Sequence, residues 1–403
     1  MVLVGDGMGD YPLAELGGRT PLEAASTPHM DHLALHGEMG TVSTIPPGME
    51  PGSDVANMSL LGYDPGKYHT GRAPLEAASM GIRLEPADVA FRCNLVTIEE
   101  GDGGVSRMGD YSAGHISTPE AHELVAALQE AVQGSPLKLY PGVSYRHLLL
   151  WPGGREDLRT TPPHDITGEP SAPYAEVYRS EPVLLAFMEK AAKVLAGHPV
   201  NRARREAGRR QANSVWLWGQ GKAPSIPTLQ EKAGLTGAMI SAVDLLKGMG
   251  VYAGLEAIPV PGATGYLDTN YAGKVQAALK ALEEGDFVFV HIEAPDEAGH
   301  EGSLEKKILA IEAFDREVVG PMVEGAKRFA SVNLLIVTDH LTPIHVRTHV
   351  SDPVPFLLIS DLHSALASAG GGKGAFNEKQ ARETGLHLPD GVTLFNRLIG
   401  LHG

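Results

Sequence analysis

The strongest constraint on this chain is a design that it repeats at three distant places: a short apolar run that stops at an acid. Val2-Leu3-Val4 runs into Gly5-Asp6-Gly7. Asp286-Phe287-Val288-Phe289-Val290-His291-Ile292 runs into EAPDEAGH, and Asn333-Leu334-Leu335-Ile336-Val337-Thr338 runs into Asp339-His340. Continuous rather than alternating apolar runs predict strands buried on both faces, the mark of a parallel sheet covered by helices. Helical patterns separate the runs, at Lys274 to Glu284 and Ser303 to Val318, and strands alternating with helices predict an α/β fold with a mostly parallel sheet. Ligands of such sheets collect beyond the carboxyl ends of the strands, and that is where the acids and histidines fall.

The middle of the chain reads differently. AFRCNLVTI and YRHLLLW predict strands, PEAHELVAALQEAV a helix, TPPHDITGEP a proline-rich turn, and Glu181 to Arg210 a long amphipathic stretch. The expectation is a smaller α+β domain, 85–212, inserted into a discontinuous main domain, 1–84 and 213–403. SVWLWGQG then predicts a strand returning to the main sheet, and ASAGGGKGAF near residue 370 predicts a flexible loop.

Composition excludes some partners. Acids outnumber bases 49 to 33, for a net charge of −16, which argues against nucleic acid and against an anionic membrane surface. No stretch has the apolar length of a membrane span, and MVLVGDGMGD lacks the basic region of a secretory signal. The one cysteine, Cys93, excludes an internal disulfide and fits a reducing, cytoplasmic setting; within an apolar strand it reads as a buried structural thiol.

PGSDVANMSLLGYDP, 51–65, sets Ser53-Asp54 after two backbone breakers at what reads as a helix start. Ser53 is either an N-cap or a hydroxyl presented at the positive end of a helix, where a phosphate would bind. Asp296 and His300, four apart, share a helix face; Asp339-His340 end a strand; His345 and His349 follow in LTPIHVRTHVSDPVP; Asp6 adds an acid from another strand. Acids brought to one sheet edge repel unless a cation lies between them, and mixed Asp and His ligands suit Mn or Zn better than Mg. Two metals and a serine imply phosphoryl chemistry, with Ser53 attacking phosphorus and becoming a phosphoserine.

The motifs VLVGDGMGDYP, PGSDVANMSLLGYDP, ISAVDLLKGMG, VPGATGYLDTNYAGK, FVHIEAPDEAGHEG and TDHLTPIHVRTHVSDPVPF resemble those of the cofactor-independent phosphoglycerate mutases of the archaeal type, in the alkaline phosphatase superfamily, almost end to end. The resemblance implies an alkaline-phosphatase-like fold and exchange of phosphate between 3-phosphoglycerate and 2-phosphoglycerate, an isomerase reaction on a small phosphorylated three-carbon acid. It implies no 2,3-bisphosphoglycerate, but two divalent ions, Mn foremost, with Zn, Co or Mg as substitutes. Residue by residue, it makes Ser53 the nucleophile, places Asp6, Ser53, Asp339 and His340 at one metal and Asp296, His300 and His349 at the other, and leaves His345 outside both. Asp10 and Asn57 fall in matching motifs near the site, where capping, hydrogen bonding and substrate contact are all open to them. The inserted domain is then a lid carrying the carboxylate-binding residues: His115, Arg146, His164, Asp165, Arg204 and Lys222 are the candidates, with hinges near 80 and 215. Trp218 departs from the family pattern, which often carries arginine there. A phosphomonoesterase or another phosphotransferase, homoserine phosphorylation included, would share the same metal core. The sequence lacks a P-loop motif.

Overall fold

The structure is a computed structural model, described here for residues 1–368 and 374–401. It divides into two compact units, Met1–His69 with Ser225–Gly403, and Thr70–Pro224. The central part of the glycine-rich segment near 370 lies outside the described residues.

In chain order the strands are β1 (Val2–Gly5), β2 (Glu38–Val42), β3 (Asp88–Glu100), β4 (Ser106–Asp110), β5 (Lys138–Tyr140), β6 (Arg146–Pro152), β7 (Ser214–Gly221), β8 (Gly237–Ile240), β9 (Glu256–Ala257), β10 (Phe287–Ile292), β11 (Leu334–Val337), β12 (Val354–Ile359) and β13 (His387–Leu388). The first unit holds an eight-stranded sheet in the order β13-β2-β12-β11-β1-β10-β8-β9. Only β12 runs against its neighbours, β11 and β2; every other pairing is parallel. Each residue of β1, β10 and β11 is buried, as continuous apolar runs require. Leu3, Val288, Val290, Leu334 and Ile336 share a core with Phe314 and Met322 of the covering helical segments. The three acid-terminated strands are therefore adjacent, β11-β1-β10, and their carboxyl ends lie at one edge. β2 runs parallel to β11 through the reversed β12, so the segment after β2 also emerges at that edge.

The second unit is a five-stranded antiparallel sheet in which the long β3 pairs with β4, β6 and β7. Helices Thr118–Ala131 and Pro182–Gly197 pack on it through Leu124, Val125, Leu128, Phe187 and Leu195. The amphipathic stretch after Glu181 is two helices, not one, because Pro199 starts a second at Pro199–Glu206.

One strand expectation is corrected. SVWLWGQG does not return to the main sheet: it is β7, hydrogen-bonded to β3 within the second unit, Leu217 opposite Cys93. Helix Arg72–Ser79 belongs to the same unit, so this unit extends beyond 85–212 at both ends. Glycines explain the close approach of its two ends. A Cβ on Gly71 (φ +131) would stand 2.3 Å from the Gln220 carbonyl oxygen, and one on Gly221 1.8 Å from that of Thr70.

Candidate active site

Helix Ser53–Leu60 removes the capping reading of Ser53. Its N-cap is Gly52, with no side-chain cap, and Ser53 is its first residue. The Ser53 hydroxyl is directed elsewhere: Oγ lies 3.2 Å from His340 Nε2 and 3.5 Å from Asp6 Oδ2. Three elements supply this group: the end of β1, the end of β11 and the helix after β2. Asn57, one turn on, donates from Nδ2 to the Ser53 carbonyl at 2.9 Å and to Asp339 Oδ2 at 2.8 Å, which ties the helix to the strand end.

A second group forms beside it. Asp296 and His300 lie one turn apart on helix Ala294–Glu301, with His300 Nε2 3.1 Å from Asp296 Oδ2. His349 comes from the loop between β11 and β12, with Nε2 3.4 Å from Asp296 Oδ1 and 2.9 Å from His300 Nε2. His300 Nδ1 lies 3.0 Å from the Arg347 carbonyl. A carbonyl only accepts, so Nδ1 carries a proton, and Nε2 is the ring atom that faces Asp296 and His349. Arg347 adopts φ +60 to present that carbonyl.

The electrostatics follow from burial. Asp6 is fully buried; desolvation, then the charges of Asp339, Asp296 and Glu293, push its carboxyl well above the ordinary range. Burial also opposes charge on Asp296, but hydrogen bonds from His300 and His349 outweigh it and hold that carboxyl well below its usual value. Burial likewise works against Asp339, and the imidazoles of His340 and His291 reverse it, leaving a lowered carboxyl. Burial works against the His300 cation, yet Asp296 carries its pKa up to about 9.

Two acid–histidine groups could each hold a divalent ion: Asp6, Asp339 and His340, and Asp296, His300 and His349, with ligand atoms within 4.8 Å of one another in each. The donors fit such ions. Asp6 Oδ1 is buried without a hydrogen-bond partner, and oxygen with imidazole nitrogen suits Mn or Zn. A third grouping, Asp6, His291 and Glu293, differs. His291 Nε2 meets Asp6 Oδ2 at 2.8 Å and its Nδ1 meets Ser241 Oγ at 3.3 Å. With both ring nitrogens engaged, His291 orients Asp6. Sequence reasoning passed over it, although a histidine inside a fully buried strand signals a polar partner.

His345 is exposed, 3.7 Å from Glu15. Asp10 is fully buried, paired with Lys307 Nζ at 2.8 Å, and it also accepts from the Ile344 amide at 3.1 Å. It braces the loops rather than facing a ligand.

In the second unit the other candidates divide. His115 and His164 join Tyr111 in an aromatic group, with ring centroids 6.3 and 6.0 Å from it, and Tyr145 lies 5.7 Å away. Arg146 lies over Tyr145 at 5.3 Å, and Asp165 is 3.5 Å from His164. Trp218 stands 5.3 Å from His164 and carries the Arg92 guanidinium 4.0 Å above its ring. Arg92 was missed; it pairs with Glu76 at 3.0 Å while its Nε is buried without a partner. An arginine inside an apolar strand was the available signal. Arg204 is corrected. It is 2% exposed, and its guanidinium is spent on Glu120 at 2.8 Å and on the Ala113 and Arg210 carbonyls at 2.6 and 2.7 Å. Its place is to pin helix Pro199–Glu206: each of its three guanidinium nitrogens has a partner within the chain, and the side chain is buried. Lys222 is paired with Glu156 at 3.0 Å.

A mostly parallel α/β sheet with two carboxylate–imidazole groups and a serine at its carboxyl edge defines a class: α/β proteins carrying a candidate dinuclear centre beside a serine hydroxyl. The particular family comes from comparison. Residues 34–201 match the model of the 2,3-bisphosphoglycerate-independent phosphoglycerate mutase family. The chain is 54% identical over 361 residues to the enzyme of that name from Methanosarcina acetivorans, covering 89% of each. It is 51% identical to a probable one from Geobacter sulfurreducens, covering 99% of each. A solved cofactor-independent phosphoglycerate mutase from Thermoplasma acidophilum superposes with a TM-score of 0.65 at 29% identity, over 100% of this chain and 99% of that one. The chain belongs to the 2,3-bisphosphoglycerate-independent phosphoglycerate mutases. Among the described residues, no helix is long and apolar enough to cross a membrane.

Proposed function

We propose that this chain interconverts 3-phosphoglycerate and 2-phosphoglycerate through a phosphoserine at Ser53, without 2,3-bisphosphoglycerate. The observation that carries the reading is the Ser53 hydroxyl, released from capping and held 3.2 Å from His340 Nε2 and 3.5 Å from Asp6 Oδ2. Asp6, Ser53, Asp339 and His340 would hold one divalent ion, and Asp296, His300 and His349 the other, with Mn the best match to the donors. Such ions lower the pKa of a hydroxyl and offset the charge of a phosphoryl group.

The chain's own residues do the rest. Gly52 and the helix Ser53–Leu60 set Oγ at a positive helix end, which favours the phosphoryl oxygens. A bond forms from Oγ to phosphorus as the bond from phosphorus to the C3 oxygen of glycerate breaks. The proton lost by the serine is balanced by the one the glycerate oxygen gains. The second half reverses these events at the C2 oxygen, so no water is consumed and Ser53 is regenerated. Asn57 holds Asp339 and the first helical turn in register throughout. His115, Arg146, His164, Asp165 and Lys222, with Arg92 added, are the candidates to line the substrate end of the pocket, the arginines among them because a planar guanidinium suits a carboxylate; they sit on the unit 70–224, which we propose acts as the lid.

Protein mixed with 3-phosphoglycerate and Mn²⁺, then quenched in acid, should carry phosphate on the peptide containing Ser53. Ala, Asp and Asn at 53 should each abolish both the label and turnover. A turning-over Ser53→Ala enzyme sinks the proposal.

A further inference from the structure

We propose that Thr342 is a positioning residue that couples the two metal groups, so that an ion bound at one raises the affinity of the other. The inference rests on reading both groups as metal sites.

Thr342 touches both. Its Oγ1 is hydrogen-bonded to Asp296 Oδ1 of one group and lies 3.2 Å from His340 Nδ1 of the other. The hydroxyl has one proton, and the ionised Asp296 carboxylate can only accept, so Thr342 donates to Asp296. The contact with His340 must then run the other way, Nδ1–H donating to Oγ1. That assignment fixes the His340 tautomer and leaves its Nε2 lone pair facing Ser53 Oγ at 3.2 Å and Asp6 Oδ1 and Asp339 Oδ2, each at 3.5 Å. One hydroxyl thus orients a carboxylate in one group and an imidazole in the other. Partners of this kind set the geometry and basicity of metal ligands.

The residue has no freedom to serve one group alone. Its amide donates to the Gly9 carbonyl at 3.3 Å, and its carbonyl accepts from the buried Lys307 ammonium at 2.7 Å. Two glycines close on its side chain. A Cβ on Gly299 would stand 2.9 Å from Thr342 Cγ2; one on Gly7 would stand 2.5 Å from Thr342 Oγ1 and 2.5 Å from Asp296 Oδ1. Room for these close approaches exists because neither residue carries a side chain, and the two partners of its hydroxyl hold Thr342 in one orientation. An ion that draws in Asp296 therefore acts, through a fixed hydroxyl, on the ring of His340. By linkage the effect is reciprocal.

The test is a Mn²⁺ titration of the full chain, with free Mn²⁺ read from its electron paramagnetic resonance signal, for wild type, Thr342→Val and Thr342→Ser. Wild type should bind two ions, the second at least as tightly as the first. Thr342→Val should weaken the second constant by about tenfold or more, and Thr342→Ser, which keeps the hydroxyl, should restore it. An isotherm of Thr342→Val that superposes on wild type overturns the coupling, as does a serine variant no better than valine. Wild-type protein that binds no Mn²⁺ overturns the metal reading itself. A readout independent of the variants is the imidazole ¹⁵N spectrum of the metal-free wild type: His340 should carry its proton on Nδ1, and a proton on Nε2 refutes the inference even if Thr342→Val does not fold.

Discussion

Lys307→Met isolates one buried charge pair under the site. Lys307 and Asp10 are both without solvent exposure on their side chains, 2.8 Å apart. The ammonium also holds the Gly9 and Thr342 carbonyls at 2.9 and 2.7 Å. Methionine has nearly the same length and keeps the packing, so the change removes the charge and three hydrogen bonds. Asp10 then keeps two amide donors, from Tyr11 at 2.8 Å and Ile344 at 3.1 Å, but no counter-charge. An uncompensated buried charge costs about 3–5 kcal/mol, and the surviving amides place the expectation near the lower end. Asp10→Asn should cost a similar amount by stranding the ammonium. The double variant strands neither charge, so it should cost at least about 2 kcal/mol less than the sum of the singles. Urea unfolding followed by far-ultraviolet circular dichroism measures this. A control is built in: all three tryptophans, Trp151, Trp216 and Trp218, lie in the second unit, so the transition seen by tryptophan emission should not move. A cycle additive within about 0.5 kcal/mol, or a single-variant cost below about 1 kcal/mol, refutes the reasoning.

Asp296→Ala or His349→Ala should each leave one divalent ion per chain, with an unchanged circular dichroism spectrum; elemental analysis finding two ions in either variant removes the site assignment. His147 makes the second unit sensitive to acid. It is 2% exposed and accepts the Gly142 amide on Nδ1 at 3.0 Å, and burial, helped by His122, pushes its pKa from 6.5 down to about 3. The folded ring stays neutral where the unfolded one takes up a proton. Its contribution is therefore complete above pH 6.5 and is lost as pH falls from there toward 3, by up to about 1.4 kcal/mol per unit. His147→Asn, whose amide oxygen replaces Nδ1, should flatten the tryptophan-monitored stability between about pH 6 and 4; an unchanged slope counts against the assignment.

The sheet was legible because β1, β10 and β11 are apolar on both faces, a pattern that few other structures produce. The acids were legible because they stop those runs. The ambiguity at Ser53 was not resolvable from its own stretch, since capping and catalysis use the same residue types; the fold excludes the cap by placing Gly52 there, and brings the hydroxyl to Asp6 and His340. β7 was misplaced because an apolar strand carries no label for which sheet it joins, and its partner β3 is more than a hundred residues away in the chain. Arg204 was named on the family resemblance alone, whereas its burial depends on the Ala113 and Arg210 carbonyls, which no local pattern announces. Thr342 was passed over for the same reason: a threonine shared by two groups is defined only when two loops and a helix meet.

The order of the strands has a consequence for how this protein is made. β1 pairs with β10 and β11, Val2 against Phe289 and Leu335, so β1 leaves the ribosome long before either of these partners. At about 5–20 residues per second the wait is roughly 15–70 s. The unit 70–224 is continuous in sequence and can complete its own sheet during that interval. β1, buried at every position in the finished protein, meanwhile exposes an apolar edge. The nascent chain therefore offers a chaperone a defined target, with Val2-Leu3-Val4 at its centre, that disappears when residue 337 has been added and β11 closes the edge.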